Sequence, residues 1–229
     1  MPNRLMPNRL MPNRLMPNRL TPNRLTPNRL TPNRLTPNRL MSPLTATPER
    51  AERTALTATI STPIGPFTVV TVQHPESPAP VVLASGWTDS VDELTTLISP
   101  RLRPRTVRQV HAIDGVTDVA TAYHDGDLTA IDDVPVEQIS GPFMIQAWKV
   151  LRTVPAGGPI SYTGFAEACG NPKAARAAAS ACARNAAALF VPCHRVLRGD
   201  GSLGGFRYGL PAKRWLLDHE AWAAALASS

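Results

Sequence analysis

Short apolar and threonine-rich runs open the patterned part of the chain. Leu56 to Ile60 and Phe67 to Val72 flank the turn-forming Pro63-Ile64-Gly65-Pro66, and Val81 to Leu83 continues the pattern. Runs of β-branched residues broken by Gly and Pro predict strands, here of a small antiparallel sheet. Asp89 to Ile98 then places Val91, Leu94 and Ile98 at roughly helical spacing. From Pro100 to Ser140 no single period holds, with acidic loops around His124 to Asp127, and the pattern predicts only mixed α and β.

After Gly141 the period becomes helical. Phe143, Ala147, Leu151 and Val154 share one face, predicting an amphipathic helix over 143–154 that the segment Pro155 to Pro159 ends. A short helix follows from Thr163 or Gly164, with Glu167 in its first turn, where the helix dipole favours an anion, and Gly170 stops it. Asn171 as N-cap and Pro172 in the first helical position predict a second helix, dense in alanine, through Arg184. Two short helices across a Gly-Asn turn read as a helix-turn-helix. The second carries only small side chains apart from Lys173, Arg176, Ser180 and Arg184. Such a surface fits close packing inside the protein or close approach to another backbone. Arg176, a long cation between Ala174-Ala175 and Ala177-Ala179, favours insertion into a DNA groove.

Composition changes the picture at the N-terminus. Residues 1–40 are eight copies of a five-residue unit, four Met-Pro-Asn-Arg-Leu and then four Thr-Pro-Asn-Arg-Leu. A proline in every copy removes a backbone donor and restricts its predecessor, so the tract is expected to be extended and disordered. Met41 offers an alternative start, which makes an appended leader the plainer reading of the repeat. The repeat also carries eight of the 24 Lys and Arg and none of the 17 Asp and Glu. The formal net charge of +7 therefore falls to −1 without it, 16 basic side chains against 17 acidic. Residues 41–140 hold six basic and 13 acidic side chains, whereas 141–220 hold ten and four. A basic C-terminal part is the electrostatic footprint expected of phosphate binding, or simply a solvated face. The division predicted is 1–54 as leader and linker, 55–140 as an N-terminal mixed domain, and 141–226 as a C-terminal domain. With no apolar run of membrane-spanning length and no signal sequence, a soluble cytoplasmic protein without membrane contact is expected. Cys169, Cys182 and Cys193 have neither metal-ligand spacing nor a Cys-x-x-Cys pair, so no disulfide framework and no metal is expected.

Of the three cysteines, Cys193 stands out. The apolar run Ala186 to Val191 predicts a buried strand or extended segment that delivers Pro192 and then Cys193-His194-Arg195-Val196. A thiol near its reference pKa of about 8.5 is mostly protonated at neutral pH, so a nucleophilic role needs a base or a positive field. His194 is adjacent, yet neighbours on extended chain point to opposite faces, and a bridging water is expected between them. On the last helix, begun by Pro211, Glu220 follows Leu216 by four and Leu217 by three, so it shares the apolar face and needs a buried partner. Nucleophile, base and orienting carboxylate make one reading. A buried cysteine beside a hydrogen-bonded histidine makes the other.

Asn171-Pro-Lys-Ala-Ala-Arg176, Arg184-Asn185, Pro192-Cys-His-Arg-Val196, Gly204-Gly-Phe-Arg-Tyr-Gly209 and Trp215-Leu-Leu-Asp-His-Glu220 follow in that order. Together they resemble the O6-alkylguanine-DNA alkyltransferase family, the methylated-DNA-protein-cysteine methyltransferases, strongly over about residues 141–222 and weakly over 55–140. There Ser61 to Pro66 resembles the family's opening. The resemblance implies an α/β (α+β) fold, with a small ribonuclease H-like antiparallel sheet domain before a mostly helical winged-helix or helix-turn-helix domain. It implies stoichiometric transfer of the alkyl group of O6-alkylguanine, and of O4-alkylthymine, to Cys193, with His194 acting through water, Glu220 orienting it and Asn185 supporting the turn. Arg176 would fill the space left by a flipped nucleotide and Tyr162 would contact the guanine. Asn171, Ala175, Ala177, Val196, Phe206 and Arg207 would complete the contacts to DNA and substrate. No cofactor is implied; the partner is alkylated double-stranded DNA, and a one-site reader needs no symmetry, so a monomer is expected. Met144, Phe206, Arg207 and Tyr208 depart from the residues common in the family. A lesion-binding relative without transfer, a cysteine hydrolase and a transcription factor are the competing readings. The first lacks the acceptor cysteine, the second leaves the helix-turn-helix unexplained, and the third would present more polar side chains on its second helix.

Overall fold

The computed structural model describes residues 54–227 apart from residue 76, so the repeat expected to be extended lies outside the described residues. β1 (Thr54–Thr62) and β2 (Gly65–Val72) form an antiparallel hairpin in the register Leu56 to Thr71 through Thr62 to Gly65. Gly65 closes it at φ +117°, a conformation open to glycine and strained for a residue with a Cβ. β3 (Val81–Gly86) joins β2 antiparallel, with a bulge at Val70/Thr71. α1 (Val91–Leu97) follows, its first turn capped by Ser90 Oγ, which accepts from Glu93 N at 3.2 Å. β4 (Thr106–Gln109) then pairs parallel to β1, giving the order β3-β2-β1-β4. The sheet is thus antiparallel over three strands, with a parallel edge that the sequence leaves irregular. Only Val107 of β4 is even half-buried among exposed Thr106, Arg108 and Gln109, so a four-residue edge strand shows no alternation to read.

Both sheet faces are covered. Phe67, Val69 and Val82 turn towards the larger core, while Val70, Val72, Val81 and Leu83 turn towards a smaller one closed by Leu94 and Ile98 of the α1 region. α2 (Thr117–His124), also unforeseen in the sequence, buries Ala120 and Tyr123 in the larger core. The remainder is mostly helical: α3 (Pro142–Leu151), the two-residue β5 (Ile160–Ser161), α4 (Tyr162–Ala168), α5 (Ala175–Arg184), β6 (Val196–Leu197), parallel to β5, and α6 (Leu210–Ala227). The architecture is the mixed α/β one that the patterns predict.

α4 and α5 form the helix-turn-helix. Ser161 Oγ accepts from Gly164 N at 3.0 Å to start α4, Gly170 ends it at φ +82°, and Trp148 Nε1 of α3 donates to Ala181 O of α5 at 3.0 Å. One expectation is corrected. Asn171 does not cap α5, whose cap position is Ala174 with no side-chain bond. The Asn171 side chain instead accepts from Lys173 N at 3.3 Å, closing a local turn that delays the helix by three residues.

A second correction concerns the run before Cys193. Ala186 to Val191 is buried throughout but is not a strand: it makes one bridge, Ala187 to Ser85 of β3, and then turns. Ser85 holds it from both sides, donating N–H to Ala186 O at 2.9 Å and Oγ–H to Ala188 O at 2.7 Å, and accepting from Ala188 N at 3.1 Å. The turn puts Leu189 at φ +77°, the one positive φ outside glycine among the described residues. That conformation costs about 1–3 kcal/mol. Complete burial of the Leu189 side chain offsets it by about 1.5–3 kcal/mol.

Candidate active site

The turn ends in a 3-10 helix, Cys193–Arg195, so Cys193 and His194 are not on extended backbone as the sequence suggests. Asn185, at the end of α5, holds the turn across its width. Its Nδ2 donates to Val191 O at 2.7 Å and to Cys193 Sγ at 3.3 Å. Its Oδ1 accepts from Ala187 N at 3.1 Å and from Gln138 Nε2 at 3.1 Å. Every polar atom of this buried amide has a partner, which fixes its orientation and aims one N–H at sulfur.

Cys193 is 9% exposed and opens into a cavity of about 580 Å³. Tyr162 of α4, Ala179 and Cys182 of α5, Ala188, and the loop Gly205 to Tyr208 complete the walls. The volume lies within the range of small-molecule sites. Two glycines fit the loop into place. A Cβ on Gly204 would lie 2.5 Å from Tyr162 Oη, and one on Gly86 would lie 1.8 Å from Tyr208 Oη. Tyr208 donates to Ser85 O at 3.1 Å and Arg207 Nη2 to Ala183 O at 2.7 Å, tying the loop to β3 and α5.

Next to Cys193 in the chain, His194 pairs with Glu220: both are 0% exposed, with Nε2 2.8 Å from Glu220 Oε1. The carboxylate also accepts from Tyr123 Oη at 2.6 Å, from Arg195 Nε at 2.9 Å and from Gly157 N at 3.3 Å. Burial alone would raise the Glu220 pKa. In acid, where His194 is charged, that charge, the Arg195 guanidinium and the hydrogen bonds of both outweigh it and hold the carboxyl well below the usual range. Burial lowers the His194 pKa, against the pull of Glu220, so the ring is neutral at neutral pH. An ionised carboxylate only accepts, so Nε2 carries the proton and Nδ1 keeps its lone pair. Nδ1 has no partner among the described residues. Burial pushes the Cys193 thiol up, partly opposed by the Asn185 bond and by Lys213. The resting pair is a thiol and a neutral imidazole.

Of the residues singled out in the sequence, Cys193, Asn185, Tyr162, Phe206 and Arg207 share the cavity. His194 and Glu220 are fully buried and do not line it. Arg176 and Asn171 are exposed, and Ala175 and Ala177 half-buried, around the start of α5; none of the four lines the cavity. Val196, expected at the substrate, is fully buried in β6, and its carbonyl accepts from Lys213 Nζ at 2.7 Å. Three residues that no motif in the sequence marks also contribute: Tyr123, Gln138 and Lys213. Lys213 had a signal, since it precedes Leu216 by three and Glu220 by seven on the same inward face of α6. Tyr123 had none, because its helix spans barely two turns in a stretch without a period.

The described residues thus bring together a buried thiol on a ligand-sized cavity, a buried histidine-carboxylate pair and a helix-turn-helix that carries an exposed arginine. Comparison with known proteins gives the family. The family model described as 6-O-methylguanine DNA methyltransferase, DNA binding domain, matches residues 142–222. A methylated-DNA-protein-cysteine methyltransferase of Shigella flexneri is 33% identical over 165 residues, covering 71% of this chain and 94% of that protein. The bifunctional transcriptional activator/DNA repair enzyme Ada of Escherichia coli K12 is 50% identical over 88 residues, 38% of this chain and 25% of that protein. Among solved structures, Mycobacterium tuberculosis OGT in complex with DNA superposes with a TM-score of 0.60 at 31% identity, covering 73% of this chain and 94% of that one. The chain belongs to the methylated-DNA-protein-cysteine methyltransferase family.

Proposed function

We propose that this protein repairs alkylated duplex DNA by moving the alkyl group of O6-alkylguanine, and of O4-alkylthymine, onto Cys193. The observation that carries the reading is the thiol itself, lining the cavity, with Asn185 on its sulfur and the buried His194-Glu220 pair beginning at the next residue. His194 Nδ1 takes the thiol proton through a bridging water, and Glu220 stabilises the imidazolium that forms. Sulfur then attacks the alkyl carbon. The S–C bond forms as the C–O6 bond breaks, the electron pair goes to O6, and the guanine regains a proton from its surroundings, leaving a neutral base and a thioether. The thioether carbon bears no good leaving group, so each molecule acts once.

A base stacked in a duplex cannot present its O6 substituent to a buried sulfur, so the nucleotide leaves the stack. α5 suits that task. Its small residues Ala175 and Ala177 let its backbone approach a minor groove, and exposed Arg176 fills the gap left by the flipped nucleotide. Tyr162, on the cavity wall, faces the extruded base. In this division residues 141–226 carry DNA contact and chemistry, residues 55–140 brace them through Ser85 and Tyr123, and the protein works as a monomer. No helix among the described residues is long and apolar enough to cross a membrane.

The test is stoichiometry. Duplex DNA bearing O6-methylguanine loses one methyl per protein molecule in a single burst, and Cys193→Ala removes none. Continued turnover, or repair by the alanine variant, overturns the reading.

A further inference from the structure

Lys213 is the buried lysine of the described chain, 0% exposed and inside α6. Its Nζ donates to Val196 O at 2.7 Å and to Gly204 O at 3.4 Å. No carboxylate pairs with it among the described residues. A buried ammonium without a counter-ion is expensive, and a carbonyl tie alone would be served by a neutral donor. The two carbonyls locate it. Val196 lies three residues after Cys193, and Gly204 opens the loop whose next four residues wall the cavity.

We propose that Lys213 is a positioning residue for the transfer: it clamps the Cys193 turn to the loop 204–208 and holds a buried positive charge towards the sulfur as that sulfur becomes a thiolate. The proposal rests on Cys193 being the acceptor. The groups around Cys193 are Asn185 at the end of α5, Cys182 of α5, Tyr162 of α4, Arg207 and Tyr208 of the loop and, within electrostatic reach, Lys213 of α6, with His194 next in the chain. The cations among them are Arg207 and Lys213. Arg207 is exposed and engaged with Ala183 O, where solvent screens it. Lys213 is not screened. Burial lowers the Lys213 ammonium and raises the Cys193 thiol, and each charge offsets part of the other's cost.

The experiment follows carboxamidomethylation of Cys193 by iodoacetamide against pH, resolved from Cys169 and Cys182 by peptide mass spectrometry, in the full chain. This readout does not depend on DNA or on transfer, so it separates failure of the inference from failure of the proposed function. Lys213→Met and Lys213→Gln are expected to raise the midpoint by about one pH unit and slow labelling at neutral pH about tenfold, with Lys213→Arg staying near wild type. Glutamine keeps a donor for Val196 O, so a wild-type midpoint in Lys213→Gln reduces the residue to a tie and overturns the charge role. A measurement on the wild type stands apart from any folding defect. The Lys213 Nζ titration followed by NMR should move to lower pH once Cys193 is carboxamidomethylated and can no longer ionise. An unmoved titration overturns the proposal.

Discussion

Replacing Glu220 by glutamine keeps the side chain's shape and removes its charge. The change falls where the structure concentrates donors: Tyr123 Oη, His194 Nε2, Arg195 Nε and Gly157 N all reach the two oxygens of a fully buried carboxylate. An amide offers one acceptor in place of two and turns an N–H2 towards groups that themselves donate. The Arg195 guanidinium, 3% exposed, is left without a counter-charge. Removing one partner of such a buried pair costs about 3–5 kcal/mol. Against a total stability of about 5–15 kcal/mol for an ordinary domain, this is a large fraction. With a urea m-value of about 1–3 kcal/mol/M, the midpoint should fall by at least about 1 M. Transfer suffers separately, because His194 loses the group that fixes its tautomer and steadies its protonated form. Loss of oriented general-base assistance lowers the single-turnover rate by about 10²–10⁴-fold. Urea unfolding followed by tryptophan fluorescence and rapid-quench methyl transfer measure the two effects. A cost below about 1 kcal/mol together with a rate within twofold of wild type would refute the account of the network.

Arg176→Ala should slow repair in duplex DNA far more than it slows reaction with free O6-benzylguanine, since only the first needs a nucleotide flipped; equal losses would argue against its role in the groove. Stability should fall on acidification. Burial sets the folded-state pKa of His194 below its unfolded value of about 6.5, and His194 with Arg195 sets that of Glu220 below about 4.3, so in both cases the unfolded chain takes up the proton first. The Tm is predicted to drop as pH falls below about 6.5 and more steeply below about 4.3, with the second limb flattened in Glu220→Gln; a Tm that rises in acid contradicts this. Gly204→Ala puts a Cβ 2.5 Å from Tyr162 Oη, so the ring must move from the cavity wall. Transfer from DNA is expected to slow about tenfold with little change in urea midpoint, and unaltered transfer would show that Tyr162 does not have to stay where it is.

The parts of the fold that could be read in the sequence are those where one local rule acts alone. The β1–β2 hairpin follows from β-branched runs around a Gly-Pro turn, and the inward place of Glu220 from its spacing to Leu216 and Leu217. Asn171 misled because its side chain had two uses, capping a helix or closing its own turn, and the turn won. Ala186 to Val191 was legible as buried but not in shape, since Ser85, a hundred residues away, grips it and the turn at Leu189 follows. Tyr123 and Gln138 reach the site through long-range pairing that no period in the sequence encodes. His194 and Cys193 illustrate the same limit. Their adjacency was plain, but only the 3-10 turn and the Asn185 bond show how the sulfur is aimed.

In the proposed reaction Cys193 keeps the alkyl group it removes. Peptide mapping by mass spectrometry after reaction with duplex DNA carrying a single O6-methylguanine tests it directly. The mass of one methyl group is expected on the peptide containing Cys193, in molar equivalence to the guanine restored, with Cys169 and Cys182 unmodified. Restored guanine with an unmodified Cys193, or methyl found on another cysteine, would contradict it.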